Sequence, residues 1–249
     1  AIDSIAYTDL YSVLQGSADV MLNVNNKVFD SLGIMLNLRN PFTEEGITID
    51  GSISNPNHVS FTKENIVKNI YMNLQMQMKN FSLNRFVVQK NDNNLVTGMV
   101  YASGTLEHPY LSLNLDSFGL LCAADMLTGN GNIVIEDRDL TVNDLNVAYT
   151  NIKINNIQAQ GSLTDMWFES SGDLNIGAAG KSIHSPLHLS IGNAVIPEGS
   201  SVPDYLTATL TATELSGSLM KKSFPASISL IHANNVCNIF SSDNIGING

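Results

Sequence analysis

Charge is what this sequence has least of. Asp, Glu, Lys and Arg together make up 14% of its 249 residues, against about 25% in ordinary soluble domains. Basic residues are the scarcer kind: 12 Lys and Arg stand against 23 Asp and Glu, for a net charge of −11. Binding to nucleic acid needs clustered cations that displace phosphate counterions. With so few, and no aromatics interleaved among them, nucleic acid is excluded as a partner. Aromatics are sparse too, at 7% with a single tryptophan, Trp167. No apolar run approaches the roughly 20 residues of a spanning helix. The opening Ala1-Ile2-Asp3-Ser4 has neither the basic nor the apolar region of a secretory leader. The closing Asn244-Ile245-Gly246-Ile247-Asn248-Gly249 carries no terminating element, so the chain reads as an interior fragment of something longer.

Reactive chemistry is missing as well. There is no Gly-x-Ser-x-Gly elbow, phosphate-binding loop, Cys-x-x-Cys or His-Glu-x-x-His, and an enzyme is not expected. Acidic residues gather in turns, as in Glu136-Asp137-Arg138-Asp139, where solvation explains them. Cys122 and Cys237 lie far apart without a partner motif. They read as thiols in an apolar wall, a disulfide in an oxidising compartment being the other reading. His184 and His188 have the spacing of a helical metal pair but flank Pro186 in a strand-like stretch, so neither a metal centre nor a cofactor is expected.

What the chain does have is alternation. In Asn69-Ile70-Tyr71-Met72-Asn73-Leu74-Gln75-Met76-Gln77-Met78-Lys79-Asn80, apolar side chains occupy every second position. Successive side chains of a strand point to opposite faces, so this is a half-buried strand. The same beat runs through Val20–Asn25, Ile34–Arg39, Leu111–Asp116, Ile152–Asn155, Leu187–Ile191, Leu206–Thr211 and Ile228–Leu230. The water-facing partners are mostly Asn, Ser and Thr. Asn130-Gly131 and Asp137-Arg138-Asp139 read as turns around Asn132–Ile135 and before Leu140–Val142, in a meander of hairpins. Ser4–Gln15 and Phe118–Thr128 are the two places where a turn or two of helix is expected.

A repeat is visible. Gly51-Ser52-Ile53-Ser54-Asn55-Pro56 and Gly104-Thr105-Leu106-Glu107-His108-Pro109 share one pattern, and Gly161-Ser162-Leu163 and Gly217-Ser218-Leu219 echo its first half. The glycines recur at roughly 50–60 residues, a repeat-architecture period. At roughly ten residues per strand and turn, each repeat would hold about five strands. The expectation is an all-β fold: one continuous domain over residues 1–249, with repeats starting near Gly51, Gly104, Gly161 and Gly217. About 20 mostly antiparallel strands would form an elongated repeat curled around an apolar groove, like a taco. A packed sandwich alternates equally well, but the Met-rich, aromatic-poor face and the uncapped repeat favour a trough. Residues expected to line it are Leu36, Leu38, Met72, Leu74, Met76, Met78, Leu111, Leu113, Leu115, Ile152, Ile154, Leu187, Leu189 and Ile191. Met suits a mobile ligand because its thioether chain adapts to changing shapes.

Gly104-Thr105-Leu106-Glu107-His108-Pro109-Tyr110-Leu111-Ser112-Leu113-Asn114-Leu115 resembles the recurring Gly-Thr-Leu-x-x-Pro-x-Leu strand signature of the TamB family. Gly51–Pro56 is a second match, and Gly131–Leu145 followed by Gln160-Gly161-Ser162-Leu163 is similar to that family's return to the next repeat. The likeness covers roughly residues 45–230, and the third and fourth copies lack the proline. The resemblance implies a periplasmic protein, anchored in the inner membrane and reaching toward the outer membrane. Like the AsmA-like and bridge-like lipid-transfer proteins, it would carry phospholipid or other lipid acyl chains in an apolar groove. It also implies a partner of the BamA/TamA barrel type, with a second role in outer-membrane protein assembly through sheet-edge pairing. A structural or adhesin-like β-solenoid is the third reading.

Overall fold

The structure is a computed structural model that describes residues 2–8, 13–25, 28–60, 62–178, 180–195, 205–218, 224–233 and 236–241. It is all-β, with antiparallel strands in an open sheet. The chain forms two compact units, residues 1–137 and 138–249.

The first unit holds β1 (Ile2–Thr8), β2 (Val13–Asn25), β3 (Val28–Arg39), β4 (Gly46–Ser54), β5 (Tyr71–Ser82), β6 (Leu95–Gly104), β7 (Pro109–Cys122) and β8 (Asp125–Glu136). Each strand pairs antiparallel with the one before it. The second unit continues as β9 (Asp139–Tyr149), β10 (Ile152–Ser162), β11 (Trp167–Ala178), β12 (Lys181–Val195), β13 (Tyr205–Gly217), β14 (Phe224–Ala233) and β15 (Val236–Ser241), again a meander. Within each unit, substantial contacts between strands join consecutive strands only.

Every stretch in which alternation predicts a strand falls in one, although Asn69 ends a helix and Ile70 caps it, so β5 starts at Tyr71. Five expectations need correction. The described strands number fifteen, not about 20, because they are long: β12 spans 15 residues and β7 spans 14. The helix expected at Phe118–Thr128 is the end of β7, a turn at Ala123 (φ 57°) and the start of β8. Of Ser4–Gln15, residues 4–8 are in β1 and 13–15 in β2, and the rest lie outside the described residues. Asn130-Gly131 makes no turn. It sits inside β8, where Gly131 pairs with Leu115, because β7 is long enough to keep both residues in the ladder. The repeat glycines fall in β4, β6, β10 and β13, so they are two, four and three strands apart instead of five.

Two insertions in the first unit interrupt the meander, and each is pinned by a fully buried asparagine. Between β4 and β5 lies a short helix, α1 (Lys63–Asn69), capped by Thr62, whose side chain accepts from Asn65 N–H. Ahead of it, Asn55 Nδ2 donates to Phe29 O (3.0 Å) and Val59 O (2.9 Å), and its Oδ1 accepts from Val59 N–H (3.0 Å). Between β5 and β6, Asn94 Nδ2 donates to Asn84 Oδ1 and Gln89 O (both 2.8 Å), and its Oδ1 accepts from Leu121 N–H (2.6 Å). A buried amide is tolerable only when so satisfied.

Candidate functional site

Residues paired across antiparallel strands share a face, so the register shows which side chains stand together. In the first unit Ala18, Leu36, Ile49, Met76, Val100, Leu113 and Ile133 form one row from β2 to β8. Beside it run Gly16, Leu38, Ile47, Met78, Gly98, Leu115, Gly131 and, on the other side, Val20, Ile34, Gly51, Leu74, Ala102, Leu111, Ile135. A fourth row starts with Leu22, Leu32, Ile53 and Met72. These rows are apolar without interruption. The row on the opposite face reads Asn37, Thr48, Gln77, Met99, Asn114, Asn132.

All nine expected groove residues of this unit lie on the apolar face. Leu38 and Met78 are buried, Leu111 is 36% exposed, and the others are half-buried. Along β5 the apolar side chains are consistently less exposed than Tyr71, Asn73, Gln75, Gln77 and Lys79. That asymmetry separates a more covered apolar face from a more exposed polar one. The glycines agree. A Cβ on Gly16 would lie 1.7 Å from Asn37 O, and one on Gly98 2.3 Å from Asn114 O. The neighbouring backbone occupies the space a side chain would need.

In the second unit the five expected residues also share one face. Tyr149, Ile152, Ile176 and Ile183 form one row, and Val147, Ile154, Leu174 and Ser185 the next. Leu187 stands opposite Gly172 and Ala212, and Leu189 opposite Ser170 and Leu210. Ile191 joins Leu140, Gly161, Phe168 and Ala208. Ser170 and Ser185 make this face less uniformly apolar than the first. Ser185 is buried, with its hydroxyl donating to Pro186 O (2.9 Å) and accepting from Glu214 N–H (3.4 Å).

Sequence reading missed Ile47, Ile49, Val100, Ile133 and Ile135 in the first unit, and Val142, Val147, Leu174, Ile176 and Ile183 in the second. Period-two spacing, as in Ile47-Thr48-Ile49-Asp50, was the available signal. It also missed Phe81, Phe118, Leu145 and Ile157, which return to the apolar face after a step of three because a β-bulge intervenes. The bulges in β5, β9 and β10 carry left-handed residues, Asn80 (φ 46°), Asp144 (φ 51°) and Asn156 (φ 52°). Asn and Asp tolerate that conformation best among non-glycine residues.

His184 and His188 lie in β12 on the polar face, where His184 Nδ1 meets Asn175 Oδ1 and its Nε2 lies 2.9 Å from Ser182 Oγ. No group of three or more metal-ligating side chains occurs among the described residues. No helix among them is long and apolar enough to cross a membrane. Comparison of the chain with family models, curated proteins and solved structures finds no match.

Proposed function

We propose that this chain is a non-enzymatic segment of a periplasmic lipid conduit, whose apolar sheet face carries phospholipid acyl chains between the inner and outer membranes. The observation that carries the reading is the set of uninterrupted apolar rows across β2–β8. Seven strands at ~4.8 Å spacing and three rows ~6.8 Å apart along the strands span on the order of 600 Å² of sheet face. Contiguous apolar faces that stay partly accessible, as this one does at Leu111, Val20 and Leu22, mark binding surfaces. The resemblance to the TamB family supplies the setting: lipid must cross an aqueous gap between two membranes.

The chemistry is solvation. Each methylene exposed to water costs about 0.8 kcal/mol, so a two-chain lipid faces on the order of 20 kcal/mol in the gap. An apolar face removes most of that cost while the headgroup stays wet. Met72, Met76 and Met78 add an adaptable, polarisable surface for chains that slide.

Photo-crosslinking in cells grown with phosphate-labelled lipid tests the reading. One probe replaces Leu74, which stands between the small residues Gly51 and Ala102; the other replaces its neighbour Gln75, between Asp50 and Tyr101. Capture of lipid at 74 and not at 75 is the expected result. No lipid at either position in folded protein overturns it. The second reading, assembly of outer-membrane proteins by sheet-edge pairing, draws on β1 and β15, each paired on one side only among the described residues. Client-protein crosslinks along those strands, without lipid at 74, would favour it.

A further inference from the structure

We infer that the second unit holds a fixed station for the end of one acyl chain, in a recess where the β10–β11 turn meets the apolar face. This deepens the conduit reading and rests on it. The recess encloses about 140 Å³ and is lined by Leu140, Gly161, Leu163, Met166, Trp167, Phe168 and Ile191, with Ser162 beside them. Gly161, Phe168 and Ile191 stand opposite one another in β10, β11 and β12, so the recess is continuous with the apolar row of that unit. Leu163 is 52% and Trp167 38% exposed, a large apolar surface held at a turn instead of being tucked away.

Two observations fix the chemistry of the occupant. The one polar side chain is engaged: Ser162 Oγ accepts from Asp165 N–H (3.2 Å) and lies 3.5 Å from Asp165 Oδ2. Apart from the uncharged indole N–H of Trp167, the remaining side chains of the lining are hydrocarbon or thioether and none carries a charge to hold a headgroup, so the occupant is hydrocarbon. The volume is close to that of an engineered apolar cavity of about 150 Å³ in an unrelated protein, which stays dry and takes a benzene-sized guest. That is room for the last few carbons of a chain and not for a whole lipid. The remainder would lie along the row towards Ala208. Gly161 keeps the floor open, since a Cβ there would lie 3.1 Å from Phe168 Cδ2 and 2.6 Å from Trp167 O.

Trp167 is the only tryptophan in the sequence and reports on the recess directly. The probe is phosphatidylcholine brominated either at the far end of its chains or next to the glycerol, loaded into the full chain. Lipid retained after gel filtration is measured as phosphate. A control reporter places tryptophan at Phe42, an 84% exposed residue of the first unit, in a Trp167→Phe background. The station predicts that chain-end bromine quenches Trp167 more than glycerol-proximal bromine does, with the Phe42 reporter unaffected. It also predicts that Leu163→Ser weakens the quenching titration by roughly tenfold. Lipid retained without quenching of Trp167 overturns the station and leaves the conduit standing. Equal quenching of both reporters means adsorption to bilayer and also overturns it. No retained lipid at all removes both.

Discussion

Leu38 and Leu111 lie on the same apolar face but differ in cover, 8% against 36% exposed. Truncating each to alanine measures whether that face is a packed interior or an accessible surface. Leu→Ala removes three carbons, worth about 0.8 kcal/mol apiece when fully buried, and a closed cavity adds to the loss. Leu38 sits between Gly16 and Ile47 and should cost about 3 kcal/mol. At Leu111, between Ala102 and Ile135, about two-thirds of the transfer term applies and no closed cavity forms. The expected cost there is about 1.5 kcal/mol. Urea unfolding followed by circular dichroism reads both, in the transition that belongs to the first unit. Repeating the series with bound phosphatidylcholine should raise the cost at Leu111 more than at Leu38, because the missing methylenes then also lose contact with hydrocarbon. If lipid-free Leu111→Ala costs as much as Leu38→Ala, the face is covered by something and the reasoning fails.

Asn94→Ala should cost about 2–4 kcal/mol, since it leaves Gln89 O and Leu121 N–H without their partner. Faster hydrogen exchange at the Leu121 amide would show that the insertion before β6 has come loose. Gly104→Ala should destabilise by 2 kcal/mol or more by the order of magnitude of such strain. Its φ is +94° and a Cβ would lie 2.2 Å from His108 O. Gly192→Ala, with nothing within 4 Å, should change stability by no more than about 0.5 kcal/mol in the same unfolding assay. Lys68 should titrate above the ordinary lysine value because of its hydrogen bond to Glu64, then the charges of Glu64 and Glu107. A raised folded-state value means the stabilisation is fully present below the ordinary value and is lost as pH rises through the folded one. Side-chain NMR should show the Lys68 midpoint falling in Glu64→Gln.

The alternation of Met72, Leu74, Met76 and Met78 needed only the two-residue period of a strand, and it was legible. That these four stand opposite Ile53, Gly51, Ile49 and Ile47 was not, because register is set by pairings between distant stretches. Phe118–Thr128 misled for a local reason. The bulge after Leu115 breaks the beat, so Phe118, Leu120 and Leu121 no longer alternate with what precedes them. Asn130-Gly131 carries a strong hairpin signal, yet the opposing strand overrides it. The helix at Lys63–Asn69 is only seven residues long, too short for its periodicity to stand out. The recess at Trp167 could not be read at all, since Leu140 and Ile191 reach it from strands far away in sequence.

The bulges explain why an asparagine-rich face accompanies the apolar one. A bulge adds a residue without turning the apolar set over, but it takes a backbone N–H out of the ladder. Here side chains on the neighbouring strands satisfy that group: Asn80 N–H donates to Thr97 Oγ1 (3.0 Å) and Asn156 N–H to Asn146 Oδ1 (3.0 Å). Asn156 Nδ2 in turn reaches Asp173 Oδ2 (3.0 Å), and Gln158 Nε2 reaches Asp144 Oδ1 (3.2 Å). These short polar side chains repair the bulged strands from behind, so the bulges themselves put no polar side chain on the front. Bulges also increase local twist and bend the strand. A sheet bent at bulges in this way therefore places amides and hydroxyls on its back, at the bulges, and keeps mostly hydrocarbon on its front. The low charge of this sequence and its wealth of asparagine are two sides of that one requirement.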